Sequence, residues 1–176
     1  MTRMIFLYPL CFPASLHAAP NVVEAEICVY GGTSGGVAAA VQASRMGKSA
    51  VIADPGRHLG GMTAGGLSAV DIGDPRTVGG IAREYFTRLV ASYGKKLEWD
   101  QPFKGDGGPA TGRGGAPPYP IGYGAIVPRV AECDNLFVTF ALSASHTAFS
   151  SIRMEPVFMA TSQSAATARS EEHTSE

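Results

Sequence analysis

The sequence has almost no surplus of charge of either sign: Lys and Arg number 14 against 15 for Asp and Glu, a formal net charge of -1 over 176 residues. Without a basic excess there is no bulk field to gather nucleic acid. Charged residues make up 16% and apolar residues 45%, which excludes an extended, solvated chain. No apolar run reaches the roughly 18 residues a bilayer-spanning helix needs. Cysteine is scarce, with only Cys11, Cys28 and Cys133, too few for a disulfide scaffold. No metal-ligand spacing, nucleophile–base pair or internal repeat is visible. What the chain does have is 22 Gly and 12 Pro, without the period of collagen, in a length suited to one domain.

Both ends differ from the middle. Arg3, the apolar stretch Met4 to Leu16 broken by Pro9 and Pro13, and the small pair Ala18-Ala19 have the order of a secretory signal. The expectation is a signal peptide over 1–19, cleaved near Ala18 or Ala19, and export; a buried N-terminal segment is the alternative. Cys11 leaves with that signal, and Cys28 and Cys133 are expected as buried free thiols. At the other end, Arg169-Ser170-Glu171-Glu172-His173-Thr174-Ser175-Glu176 is polar and without periodicity. It resembles an in-frame translation of a sequencing adapter, so 169–176 is expected to be a foreign tail, the alternative being a disordered one.

Between the ends, residues 20–104 have ordinary α/β texture. Gly105 to Gly124 holds eight Gly and four Pro; such a stretch buries too little side chain to offset its ordering entropy, so 105–118 is expected to be a linker or junction. Apolar patterning returns in 119–168.

The first zone opens with a strand–turn–helix–strand unit. Glu26-Ile27-Cys28-Val29-Tyr30 is an apolar run suited to a buried parallel strand. It runs into Gly31-Gly32-Thr33-Ser34-Gly35-Gly36, then into the helix formers Val37 to Met46, with Gly47 placed to cap the helix end. Ser49 to Ala53 is the second strand, and Asp54 stands at its C-terminal end. A strand bending sharply into a helix turns main-chain N–H groups toward the positive end of the helix dipole, a site for a diphosphate. Gly31 permits the tight turn and Gly36 a close helix–strand approach. Asp54 follows Gly31 at the spacing of the acid that accepts adenosine ribose hydroxyls and repels a 2′-phosphate, favouring FAD or NAD over NADP. Thr33 departs from the fingerprint, standing where its second glycine belongs. The competing reading is a Gly-rich turn that only packs.

Further along, Gly60-Gly61 offers bare backbone for a close ligand approach or a simple turn. Arg57 and His58 stand either at the adenosine end or in a solvated loop. Ile81, Tyr85, Leu89 and Val90 form an apolar stripe on a helix over 79–93, with Arg83, Glu84 and Arg88 facing water. Leu136 to Phe140 is expected as a strand, Ser143 to His146 as a polar loop. A helix follows, introduced by Arg153-Met154-Glu155-Pro156, with proline tolerated in its first turn, and continues to Ala168.

Taken together, Tyr30 to Ala40, His58-Leu59-Gly60-Gly61-Met62-Thr63-Ala64-Gly65-Gly66-Leu67, Asp71-Ile72-Gly73, Gly79 to Phe86, Tyr119-Pro120-Ile121, Leu142 to His146 and Ser151 to Pro156 resemble a family of exported bacterial FAD-dependent oxidoreductases within the glutathione-reductase-like flavoproteins. In that family threonine is usual at the position of Thr33. The resemblance implies a Rossmann-like α/β FAD-binding fold with a parallel sheet. Its N-terminal part falls in 20–104 and its C-terminal part in 119–168. It implies FAD as cofactor and an unidentified organic small-molecule substrate, with no nucleic-acid partner and no membrane span. Gly31, Gly32, Thr33, Ser34, Gly36 and Asp54 are the implied dinucleotide contacts. Gly60, Gly61 and Met62 are assigned to the flavin, and His146 is placed near its ring. In related proteins a long substrate-facing region separates the two parts; here the join falls between Lys104 and Pro117, so the sheet is expected to be incomplete and the chain incompetent for turnover. The alternative function is a non-catalytic dinucleotide-binding or structural module.

Overall fold

A computed structural model describes residues 22–66, 75–100 and 119–172. The expected signal peptide, the 105–118 junction, Leu67, the Asp71-Ile72-Gly73 block and residues 173–176 lie outside the described residues.

The chain begins as a βαβ unit. Strand β1 (Ile27–Tyr30) leads through the Gly-rich bend to helix α1 (Ser34–Arg45), and β2 (Ala50–Ala53) returns parallel to β1. The register pairs Ile27 with Ala50 and Tyr30 with Ala53. Thr33 is the N-cap of α1: its Oγ1 accepts from the Gly36 amide at 3.1 Å, satisfying a donor that the first helical turn cannot. Gly47, at φ +77°, takes the chain out of the helix in the left-handed conformation that glycine adopts without strain.

Four further α-helices, α2 (Gly61–Ala64), α3 (Gly80–Ser92), α4 (His146–Ile152) and α5 (Glu155–Glu172), and two short 3-10 turns, Pro75–Thr77 and Tyr123–Ala125, complete the described fold. Helix α1 packs most extensively on α5, and α3 also packs against α5. Small residues bring α1 and α5 together: Ala38 is fully buried and Ser162 is 2% exposed. One apolar cluster joins Ala38, Val78, Ile81, Ala82, Phe86, Trp99 and Met159; another joins Ile126, Leu142, Ile152, Phe158 and Ala165. Among the described residues no helix is long and apolar enough to cross a membrane.

Four expectations about helices and strands need correction, and a fifth concerns the cysteines. The buried stripe of α3 is Ile81, Ala82 and Phe86, whereas Leu89 is exposed. Trp99 folds back onto this helix, its indole N–H donating to Thr87 Oγ1 at 3.0 Å, and so recruits Ala82 and Phe86 to the covered face. Second, Leu136 to Phe140 forms no strand. A cleft of about 670 Å³ separates it from β1, and the Val138 amide donates instead to Ile126 O at 2.7 Å. A strand candidate held away from the edge of β1 stays irregular. Third, His146 is not in a loop but opens α4, where Ser145 Oγ caps the helix by accepting from the Ala148 amide. Fourth, α5 does not stop near Ala168 but continues to Glu172, with Ser170 at 1% exposure.

Cys28 and Cys133 are both free, but neither is buried as expected: Cys133 is half-buried and Cys28 is exposed. The reason lies in the sheet. Helix α1 covers the face bearing Ile27 and Val29, and by the twofold period of a strand Cys28 and Tyr30 point to the other face. Tyr30 is 90% exposed there. The Ile27 and Gly31 amides donate to Ser49 O and Ala53 O on the β2 side. By the same alternation the Cys28 and Tyr30 main-chain groups face the edge away from β2.

Candidate functional site

The Gly-rich bend is built from main-chain constraints. Gly31 has φ +103° and its amide donates to Ala53 O at 2.9 Å. A Cβ at Gly36 would collide with the Gly31 carbonyl oxygen and lie 3.3 Å from Val29 Cγ1, so the close approach of helix to strand requires glycine there. Gly60 and Gly61 meet this bend directly. The Gly60 amide donates to Gly32 O at 2.6 Å, Thr33 and Gly60 form an isolated parallel bridge, and a Cβ on Gly61 would lie 3.3 Å from Thr33 Cα. Both residues have positive φ. The structure therefore unites Gly31, Gly32, Thr33, Ser34, Gly36, Gly60 and Gly61 in one place. Met62 stands beside them on α2 and is 59% exposed.

Asp54 belongs to the same constellation. Its Oδ2 accepts from the Gly32 amide and its Oδ1 from the Gly56 amide, both at 2.6 Å. The Gly32 bond, followed by the Gly56 bond, holds the carboxyl below its ordinary value, against a smaller opposing effect of burial. A charged carboxylate with one lone pair engaged on each oxygen keeps further acceptor capacity, the chemistry that vicinal ribose hydroxyls need. The Gly32 N–H is committed to Asp54, so the helix-end amides left to an anion are those that open α1.

Sequence reasoning missed Glu155. It starts α5, and its Oε2 accepts from Ser34 Oγ and from Thr63 Oγ1, the latter at 2.8 Å. Ser34, at 4% exposure, thus turns its hydroxyl toward α5, and what it presents at the helix end is its main-chain amide. Local patterning carries no signal for this cluster, since Glu155 and Ser34 are 121 positions apart. His146 is exposed at the start of α4; no described contact joins it to the bend. Arg57 and His58 are exposed. Among the described residues no group of three or more His, Cys, Asp or Glu is placed to hold a metal ion.

This donor set fits an adenine dinucleotide: a helix N-terminus approached by bare glycine backbone, flanked by a carboxylate held ionised at the tip of the neighbouring strand. A family model described as FAD dependent oxidoreductase matches the chain in two stretches, residues 26–111 and 101–172. No curated protein and no solved structure matches the chain.

Proposed function

The chain belongs to the FAD dependent oxidoreductase family, and from that premise we propose that the Gly31–Gly36 bend with Asp54 is its FAD dinucleotide site. The observation that carries the proposal is the Gly32–Asp54 hydrogen bond. It locks the ribose-accepting acid of β2 against the phosphate-facing bend of β1. The diphosphate lies at the N-terminus of α1, where the amides that open the helix and its dipole favour negative charge. Gly60, Gly61 and Met62 line the flavin side, with His146 near the ring. Bound FAD supplies a two-electron centre, so the reaction class is transfer of a hydride or electron pair between an organic substrate and flavin.

We further infer that the chain is an incomplete unit that holds FAD weakly and does not turn over. The uncovered Cys28–Tyr30 face of the sheet supports this, because a complete α/β layer covers both faces of a parallel sheet. The segment with Arg3, Met4 to Leu16 and Ala18-Ala19 supports export, in keeping with the resemblance to an exported bacterial family within the glutathione-reductase-like flavoproteins. A second reading, in which the turn merely packs, draws on the burial of Gly32, Ser34 and Gly35. Titration of the purified chain with FAD, followed by gel filtration, separates these readings. Saturable quenching of flavin fluorescence, with the flavin lost on the column, is expected. No saturable binding leaves the packing turn; stoichiometric yellow protein after the column overturns the incomplete-unit reading.

A further inference from the structure

We propose that Glu155 is the positioning residue of the FAD cradle, holding the first turn of α1 and the Gly60–Gly61 turn at a fixed spacing through one carboxylate oxygen. The inference rests on the FAD-binding reading above and adds to it a residue that touches neither substrate nor cofactor. Three observations converge on it. A single Glu155 oxygen accepts from the hydroxyls of Ser34 on α1 and Thr63 on α2, joining by side chains two elements whose leading turns also meet through the Gly60–Gly32 hydrogen bond, the Thr33–Gly60 bridge and the packing of glycine backbone. The position of Glu155 is itself fixed. A Cβ on Gly35 would lie 2.7 Å from Ser162 Oγ and 3.1 Å from Phe158 O, so the turn of α5 following Glu155 sits hard against α1 with no room to slide. Moreover, Ser34 is buried beside its acceptor, where a hydroxyl bond to a charged group is stronger than one between neutral partners.

The arrangement has an electrostatic peculiarity that makes it testable. A carboxylate near a diphosphate repels it, and here the repulsion is offset by two hydroxyl donors and by the N-terminal dipoles of α1 and α5. If Glu155 acted only as a charge, Glu155→Gln would tighten FAD binding. If it acts as a tether, the amide keeps one accepting oxygen but cannot present the same charged acceptor to both hydroxyls. The cradle then loosens and FAD binding weakens.

The test compares the wild-type chain with Glu155→Gln, Thr63→Val, Ser34→Ala and the Ser34→Ala/Glu155→Gln double variant. Amide hydrogen exchange is followed without flavin, and FAD affinity by fluorescence titration. Glu155→Gln should quicken exchange about tenfold in both 33–37 and 60–64 while the middle of α5 stays protected, and Thr63→Val should quicken 60–64 alone. The FAD dissociation constant should rise about tenfold in Glu155→Gln, and the double variant should be no weaker than the weaker single one, the non-additivity of partners in one network. Unchanged exchange in both segments, tighter FAD binding by Glu155→Gln, or strictly additive losses each overturn the tether. Should Glu155→Gln not fold, Thr63→Val and Ser34→Ala decide it by the same segment-specific exchange. A wild-type chain that takes up no FAD sinks the binding reading alone, since the exchange experiment still judges the tether.

Discussion

Gly35 lies where α5 presses on the bend, and replacing it tests how tightly the site is built. In Gly35→Ala the new methyl meets Ser162 Oγ at 2.7 Å, Phe158 O at 3.1 Å and Phe158 C at 3.4 Å. The main-chain atoms cannot rotate away. Ser162 can, but its hydroxyl donates to Thr139 Oγ1 at 2.7 Å and it is 2% exposed. Overpacking of this kind costs about 1–3 kcal/mol, and losing the Ser162–Thr139 bond adds about 1 kcal/mol. The better helix propensity of alanine returns up to about 1 kcal/mol. The expected balance is a loss of about 2 kcal/mol, or about 4–8 °C in melting temperature for a chain of this size. Thermal unfolding followed by far-UV circular dichroism measures it. Adding Ser162→Ala removes the closest obstacle and should recover about half of the loss, leaving the Phe158 carbonyl. If Gly35→Ala melts at or above the wild-type temperature, or Ser162→Ala brings no recovery, the α1–α5 contact is looser than described and the fixed placement of Glu155 loses its basis.

Other outcomes follow from single groups. Asp54→Asn puts an NH₂ where one of the two accepting oxygens stands, so it strands either the Gly32 or the Gly56 amide; FAD affinity should fall about tenfold or more by fluorescence titration. Glu26 is lowered from 4.5 to about 2, first by its hydrogen bond from the Ser49 amide and then by Lys48 and the Ser49 hydroxyl. A folded-state value below the unfolded one stabilises above pH 4.5 and loses that contribution as pH falls toward 2. Asp54 acts in the same direction. Urea midpoints across this window should therefore rise with pH in the wild type and rise less in Glu26→Gln, whereas parallel curves refute the assignment. Mass-mapped alkylation of the native chain should modify exposed Cys28 before half-buried Cys133, whose thiol donates to Asn135 Oδ1; the reverse order contradicts the bare sheet face.

The βαβ unit was legible because its signals are local. An apolar run, a glycine bend and a helix-forming stretch follow one another without interruption, and the acid at the tip of β2 is found by counting from Gly31. The structure joins Asp54 to Gly32 as that spacing implies. What escaped depends on residues far apart in the chain. Glu155 reaches Ser34 across 121 positions, Trp99 decides which face of α3 is covered, and Leu136 to Phe140 has strand composition but a cleft where a neighbour would pair. Cys28 reads as buried because strands of its composition normally lie between two layers, and only the folded arrangement reveals that one layer is bare.

That bare layer and the rim of β1, unpaired among the described residues, govern how the molecule behaves in company. Cys28, Val29 and Tyr30 carry no charge to repel a second strand. Each collision between molecules therefore brings together ladder groups able to zip and an aromatic ring able to stack. Self-association should climb steeply with protein concentration, and a lysine introduced at Tyr30 is the economical remedy for anyone who needs the monomer in solution.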